Sequence, residues 1–150
     1  MAFDSGLLRV TFEDQLVKIL IMDIVKNYII RELVSIDSEA IVAEAAIKME
    51  KEKVGSLLVT KKNKIVGILT EGDLSRRVLA KELPPVDTEV RAIMSSPLVS
   101  VPSDTSMPAA FLTMIEKNLR HLTVTEDGKI IGMLSMKGFG QYYTDKFYKK

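Results

Sequence analysis

Apolar and polar positions follow two different periods along the chain, and their order predicts its elements. Ile41, Ala45 and Met49 recur at helical spacing, whereas short continuous apolar runs on either side indicate strands. The helices are expected over about residues 39–53 and 71–83, and the strands over 33–36, 56–60 and 65–69.

Local residues predict where these elements end. Asp37 and Ser38 offer side-chain oxygens that would cap the first helix at its N-terminus. Gly55 tolerates the left-handed backbone found just past a helix, and Pro84 with Pro85 would stop the second helix.

The whole pattern returns 65 residues later without a gap. Residues 33–74 and 98–139 are identical at thirteen of forty-two positions, including Gly67 and its counterpart Gly132. Average composition would give roughly two or three identities. Two copies are too few for a solenoid. The sequence therefore predicts an α/β fold of the α+β type, with two tandem β-α-β-β-α repeats related by a pseudo-twofold axis and sharing one core.

The upstream segments align at the same offset, since residues 25–29 match 90–94. We therefore place the first repeat at 17–83 and the second at 86–140. Residues 1–16 and 141–150 are terminal extensions outside the repeat. The tyrosine-rich C-terminal extension is expected to pack on the protein's own surface rather than on a partner.

The composition is typical of a soluble globular domain of 150 residues, with 47% hydrophobic residues and 27% charged. A net charge of +1 gives no footprint for nucleic acid, and the lysines at 61–64 and 149–150 fit solvated surface better. The longest apolar run, residues 19–22, is too short to span a membrane, and no secretory signal is visible. We expect a cytoplasmic protein with no nucleic acid or membrane partner.

Most catalytic constellations are missing. The chain has no cysteine and one histidine, His121, which excludes disulfides, thiolate nucleophiles and two-histidine zinc sites. Neither of the two common glycine-rich phosphate loops occurs. We expect no enzymatic activity, no metal and no cofactor.

Two stretches carry a family resemblance. Residues 53–59, a polar turn, and then residues 65–74 with the motif Thr70-x-x-Asp73 closely resemble the cystathionine-β-synthase (CBS) domain. Residues 120–124 and 130–135, preceded by 90–98, resemble it again. The chain thus looks like a stand-alone CBS pair, or Bateman module, over about residues 17–140. The resemblance implies a homodimer that binds adenosine-type ligands in clefts between the two repeats and rarely catalyses a reaction.

The Thr70-x-x-Asp73 motif places a hydroxyl, a carboxylate and free backbone N–H groups where a strand enters a helix. Such a carboxylate can accept from both ribose hydroxyls, and a helix N-terminus favours phosphate. Gly67 would let a backbone or a ligand approach closely. By the resemblance, Asp73 holds the ribose and Thr70 lies near the ribose or the phosphate. A capping box without a ligand remains the alternative, and the two roles can coexist.

The second copy keeps a hydroxyl at Ser135 but has Gly138 in place of the aspartate. Its cleft is therefore expected to be empty, weaker, or to bind in another orientation. Arg76 and Arg77 are candidate phosphate ligands because the guanidinium suits phosphate, although solvated helix positions explain them as well.

The resemblance supplies the remaining candidates. It implies Arg120 and His121 as phosphate-reaching residues, although a strand-edge role fits His121 better. It also implies base contacts from the other repeat, for which helix capping is the safer interpretation of both serines. These are Ser103 and Leu119 for the better cleft, and Ser38 and Val54 for the poorer one. The full candidate set is Gly67, Ile68, Thr70, Asp73, Arg76, Arg77, Ser103, Leu119, Arg120, His121, Ser135, Ser38 and Val54.

Together these observations favour a regulatory module that senses AMP, ADP or ATP and signals through a dimer interface or an unidentified regulated protein. A structural dimerisation module with degenerate clefts is the first alternative. A sensor of S-adenosylmethionine or of a metal ion is the second, and the scarcity of clustered carboxylates argues against the metal.

Overall fold

The computed structural model describes residues 11, 13, 14, 17 and 23–148. The start of the predicted first repeat (18–22) and the two C-terminal lysines lie outside the described residues. The chain forms two compact units. The central unit is Ile30–Ser100, and the terminal unit combines the described residues up to Ile29 with those from Val101 onward.

The central unit contains a three-stranded sheet in the order β1-β2-β3, with β1 parallel to β2 and β2 antiparallel to β3. Its elements are β1 (Ser35–Asp37), α1 (Val42–Glu52), β2 (Ser56–Lys61), β3 (Lys64–Thr70), α2 and the short helix α3 (Val90–Ile93). Helix α2 consists of an α-turn (Glu71–Asp73), a π-turn (Leu74–Val78) and a 3-10 turn (Leu79–Lys81). The predicted second helix therefore ends earlier than residue 83.

The terminal unit repeats this plan with the sheet order β4-β5-β6. After a 3-10 turn (Val25–Asn27) come β4 (Ser100–Pro102), α4 (Met107–Glu116), β5 (His121–Glu126), β6 (Lys129–Ser135) and α5 (Met136–Phe147). The mixed α/β fold with two three-stranded sheets confirms the predicted fold class.

The two hairpins repeat at the level of residue pairing. Ser56 pairs with Thr70 in the first, and His121 pairs with Ser135 in the second, 65 residues later. Each hairpin also shifts register at the equivalent place, after Val59 and after Val124. The internal repeat predicted from the sequence is thus a structural repeat as well.

Each unit is completed by a leading segment, the residues that precede the first strand of a repeat (23–29 and 88–96). In the central unit, the N–H of Val90 donates to the carbonyl of Ala40 at 2.8 Å. In the terminal unit, the N–H of Val25 donates to the carbonyl of Thr105 at 2.8 Å, the same bond 65 residues apart. The leading segment of each repeat therefore packs against the strand and helix of the other repeat.

These leading segments overturn the predicted caps. Helix α1 has Ile41 at its N-cap with no side-chain bond, so the prediction that Asp37 and Ser38 cap it was wrong. Instead, the N–H of Val42 donates to the carbonyl of Thr88 at 2.8 Å. A carbonyl from a distant segment thus satisfies the helix start, and no local side chain is needed.

Two other local predictions were also wrong. Lys53, not Gly55, adopts the left-handed conformation (φ 55°) at the end of α1. Ser103 does not cap α4, because Ser106 is its N-cap and accepts from the N–H of Ala109 at 3.3 Å.

The two units have different cores. The central core is aliphatic and includes Ile36, Val42, Ala45, Met49, Leu57, Val59, Leu69, Val78, Val90 and Ile93. The terminal unit adds aromatic rings, with Phe111 stacked on Phe139 at 4.4 Å between ring centroids. Tyr142 is buried and Tyr143 touches its ring, so this part of the tail packs on the protein itself as predicted, while Tyr148 stays exposed.

Among the described residues, no helix has the length and apolar character needed to cross a membrane.

Candidate functional site

The turn between β3 and α2 is a capping box. Thr70 Oγ1 accepts from the N–H of Asp73 at 3.3 Å. In return, Asp73 Oδ2 accepts from the N–H of Thr70 at 2.9 Å and from its hydroxyl at 2.8 Å. The capping role considered from the sequence is therefore present. It also fixes the orientation of a carboxylate that is only 4% exposed.

The second oxygen of this carboxylate faces Arg77. Asp73 Oδ1 lies 3.5 Å from Arg77 Nε, while Arg77 Nη1 donates to the carbonyls of Ile93 and Met94, each at 2.9 Å. Arg77 is thus not simply a solvated helix residue. Because a carboxylate offers about four acceptor positions, Oδ1 can accept a further hydroxyl.

The space beside Gly67 is taken by the protein. A Cβ at this position would lie 2.8 Å from both Met94 Sδ and the Ser95 carbonyl oxygen. Neighbouring Ile68 exchanges two hydrogen bonds with Ser95, at 2.8 and 3.0 Å. The close approach that Gly67 permits is therefore made by the leading segment.

Arg76 and Val54 occupy the edges of this region. The guanidinium of Arg76 folds over Gly72, where a Cβ would lie 2.6 Å from Nη2. Val54 follows Lys53, the C-cap of α1, and donates its N–H to the carbonyl of Met49 at 3.0 Å. Its side chain packs partly buried against the central core. Its placement indicates a structural contribution.

Ser38 and Ser103 occupy equivalent positions in the two repeats but differ in bonding. The Ser103 hydroxyl donates to Glu126 Oε1 at 3.0 Å, an oxygen that also holds Lys26 Nζ at 2.5 Å. Ser38 is 1% exposed, and its hydroxyl has no hydrogen-bond partner among the described residues. Lys61 stands where the acceptor Glu126 stands in the second repeat, and an ammonium accepts no hydrogen bond.

The candidates of the second repeat gather where α5 begins. Ser135 is the N-cap and accepts from the N–H of Gly138 at 3.0 Å, and His121 pairs with Ser135 across the hairpin. The carbonyl of exposed Arg120 accepts from Met136 at 2.9 Å. The second repeat therefore keeps the hydrogen bond from the backbone N–H to the capping hydroxyl, but it lacks the carboxylate that completes the capping box in the first repeat.

Leu119 lies in the loop that follows α4. Its N–H donates to the carbonyl of Met114 at 2.8 Å, closing the end of that helix.

Eight candidates lie in the central unit and five in the terminal unit. The central ones are Ser38, Val54, Gly67, Ile68, Thr70, Asp73, Arg76 and Arg77, and the terminal ones are Ser103, Leu119, Arg120, His121 and Ser135. The cleft that would join the two sets stays a prediction.

Sequence reasoning missed a cluster around Asp23 in the terminal unit. Its carboxylate accepts from the hydroxyls of Tyr28 at 3.1 Å and Tyr142 at 2.7 Å and pairs with Lys146. Burial, together with the neighbouring phenols of Tyr28 and Tyr143, raises the pKa of Tyr142 to about 12. The tail's tyrosine content was the one signal available, since nothing local pointed to Asp23.

A cavity of about 440 Å³ adjoins this cluster. It is lined by Tyr28, Gly138, Gln141, Tyr142, Asp145 and Lys146. Gly138, which stands where Asp73 does, therefore faces open space. Among the described residues, no group of three or more histidine, aspartate and glutamate side chains is arranged to hold a metal ion.

The comparisons with known proteins agree with this architecture. The family model for the CBS domain matches residues 25–80 and again 90–139. An uncharacterised protein of Methanopyrus kandleri, MK0525, is 35% identical over 96 residues. These residues make up 63% of this chain and 49% of the relative, so the chain spans about half of that protein's length.

Two solved structures show the same fold over most of both chains. A protein with CBS domains from Burkholderia ambifaria is 28% identical with a TM-score of 0.75, covering 80% of this chain and 88% of that one. A conserved protein from Pyrococcus horikoshii is also 28% identical, with a TM-score of 0.77 and coverage of 82% and 93%. Proteins of this kind are generally regulatory. The chain belongs to the CBS-domain family and carries two CBS domains in tandem.

Proposed function

We propose that this CBS pair is a regulatory module that binds an adenine nucleotide (AMP, ADP or ATP) through Asp73 and passes its occupancy to a partner protein or to a second copy. The observation that carries the proposal is the fixed orientation of the Asp73 carboxylate. Thr70 holds Oδ2 at 2.8 and 2.9 Å, so Oδ1 is presented in a fixed direction. A ribose hydroxyl bonded there would meet a charged acceptor that is already oriented.

The ligands of one solved CBS pair also support the proposal. The CBS domain pair of protein MJ0100, solved with 5′-methylthioadenosine and S-adenosylmethionine, has this fold with a TM-score of 0.74 and 20% identity. At that identity the likeness concerns the fold alone. It does give a reason to test S-adenosylmethionine beside the nucleotides, because all of these ligands contain adenosine.

Calorimetric titration with AMP, ADP, ATP and S-adenosylmethionine tests the proposal. The decisive variant is Asp73→Asn, which keeps an acceptor for Thr70 and removes the charge. A charge-assisted hydrogen bond contributes about 1.5–3 kcal/mol, so affinity should fall by about ten- to hundredfold. Asp104→Asn, a carboxylate change in the other unit, is the control and should leave affinity unchanged.

The second repeat offers a gain-of-function arm. A Cβ at Gly138 would meet Ser135 Oγ at an ordinary 3.4 Å, so Gly138→Asp fits. If a carboxylate at this position recognises ribose, the variant should show a second saturable binding step. No heat from any ligand with the wild-type protein, and no rise in melting temperature at millimolar ligand, would refute the proposal.

A dimerisation role has its own supporting observation. Ile47 on α1 and Leu112 on α4 are equivalent positions in the repeat, and both side chains are exposed, at 67% and 57%. We propose that these helices pair two copies of the chain. Sedimentation of Ile47→Asp and Leu112→Asp variants tests this, with Thr144→Asp as a control on another helix. Dimers that survive both apolar-to-charged changes would exclude this interface.

A further inference from the structure

We propose that Arg77 couples the Asp73 carboxylate to the leading segment of the second repeat, so that a ligand on Asp73 is sensed where the chain enters that repeat. The ligand part rests on the proposed function, whereas the coupling rests on described contacts within the central unit. Arg77 is a positioning residue in this account.

One guanidinium holds both elements. Its Nε lies 3.5 Å from Asp73 Oδ1, and its Nη1 donates at 2.9 Å to the carbonyls of Ile93 and Met94. These carbonyls lie at the C-terminal end of α3, where a helix leaves its last acceptors without intrahelical partners. The planar, forked guanidinium suits such simultaneous contacts better than an ammonium.

The residues just after these carbonyls are bound to β3. Ser95 exchanges two hydrogen bonds with Ile68, and Met94 Sδ lies where a side chain on Gly67 would be. From Ser95 the chain continues to β4, the first strand of the second repeat. A displacement of Arg77 would therefore act on the segment that leads into β4.

A ligand on Asp73 would compete for this guanidinium. Thr70 occupies Oδ2, so a ribose hydroxyl must use Oδ1, the oxygen nearest Arg77. A phosphate at the same turn would attract the guanidinium directly, since charge-assisted bonds to phosphate are strong. Either event weakens the hydrogen bonds from Arg77 to the carbonyls of Ile93 and Met94. Because coupling between two sites is reciprocal, a change in the leading segment must also change the affinity for the ligand.

The second repeat lacks this connection. Gly138 and Tyr142 replace Asp73 and Arg77, and the Tyr142 hydroxyl bonds to Asp23 in the other leading segment. That helix is thus tied to its leading segment without using a carboxylate at the ligand position. Sensing through a side-chain relay is therefore assigned to the first repeat alone.

Residue-resolved amide exchange by NMR tests the coupling without any ligand. The reporters are the N–H groups of Met94 and Ser95, and the internal reference is Leu58, whose N–H donates within the sheet to Val34. Asp73→Asn should make both reporters exchange about tenfold faster relative to Leu58, because Arg77 loses its charged partner. In an Arg77→Gln background the same change should have no further effect.

Arg76→Gln is the matched control, because its guanidinium lies beside Gly72. With this variant the response to Asp73→Asn should equal that of the wild type. Unchanged reporters in Asp73→Asn, or a response that persists in the Arg77→Gln background, would overturn the coupling.

The ligand arm uses AMP, with binding followed by calorimetry on the same samples. Saturating AMP should accelerate exchange at the reporters in the wild type and in Arg76→Gln. In Arg77→Gln the reporters should not respond even at AMP concentrations that calorimetry shows to be saturating for that variant. If AMP binds no variant while the ligand-free result holds, the proposed nucleotide function fails and the coupling stands.

Discussion

Replacing Gly67 by alanine should destabilise the protein through lack of space rather than through backbone strain. Gly67 lies in β3 and is not among the residues with positive φ. The new methyl group would lie 2.8 Å from the Ser95 carbonyl oxygen and from Met94 Sδ. The thioether can rotate away, but the carbonyl is fixed by its hydrogen bond from Ile68.

The magnitude follows from these contacts. Overpacking of this kind costs about 1–3 kcal/mol. Weakening the reciprocal bonds between Ile68 and Ser95 adds about 0.5–1.5 kcal/mol for each bond lost. The reduced entropy of the unfolded chain returns about 0.4–1 kcal/mol. With one of these bonds lost, the free energy of unfolding should therefore fall by about 2 kcal/mol.

Urea denaturation followed by circular dichroism is the appropriate assay. With a slope of about 1–3 kcal/mol per molar urea, the midpoint should drop by about 1 M. Gly140→Ala is the control, since nothing lies within 4 Å of its added Cβ and an alanine inside a helix is favoured by about 0.5–1 kcal/mol. Met94→Ala in the Gly67→Ala background should restore only part of the loss, because the Ser95 carbonyl remains. A Gly67→Ala protein as stable as the wild type would refute the reasoning.

Three further changes have defined outcomes. Ser103→Ala should lower the free energy of unfolding by about 0.5–1.5 kcal/mol, because the hydrogen bond to Glu126 is lost. Ser38→Ala should be neutral or stabilising, because the Ser38 hydroxyl has no hydrogen-bond partner among the described residues. Equal losses in thermal melts would contradict this. The pKa of Tyr142 is raised to about 12 in the folded protein, so its contribution to stability is complete below pH 10 and falls as the pH rises towards 12. The free energy of unfolding of the wild type, measured in urea relative to Tyr142→Phe, should therefore drop by about 2 kcal/mol from pH 10 to pH 12. A difference that does not change with pH would argue against this. Lys53→Gly should stabilise the protein by about 0.5–1 kcal/mol, because glycine adopts the left-handed backbone at φ 55° without strain. An unchanged or lower melting temperature would contradict this.

The hairpins were predictable because their signals are local. The short apolar runs on either side of Asp127-Gly128 indicate a two-residue turn, and both turn residues adopt the positive φ expected of it (49° and 74°). The 65-residue offset then carried this information to the other hairpin. For the same reason the family resemblance was visible at the strands.

The start of α1 was not predictable from local residues. Ser38 has the chemistry of a cap, yet the N–H of Val42 is satisfied by a carbonyl of Thr88, which is distant in sequence. By contrast, the Thr70-x-x-Asp73 motif predicted the capping box at the start of α2 correctly. The hydrogen bond from Arg77 to the carbonyl of Ile93 was not predictable, because it depends on how α3 packs. Side-chain bonds within four residues follow from sequence, whereas those across segments require the fold.

The exchanged leading segments have a consequence for any chain that carries a single repeat. Such a chain would hold one leading segment but would lack the one that completes its own sheet and helix. It could complete itself only by trading segments with a second molecule, at the entropic cost of association. When both repeats are in one chain, this association becomes intramolecular. A short linker then gives an effective concentration in about the millimolar range. Cutting the chain between residues 83 and 88 should therefore yield two fragments that fold together and not separately.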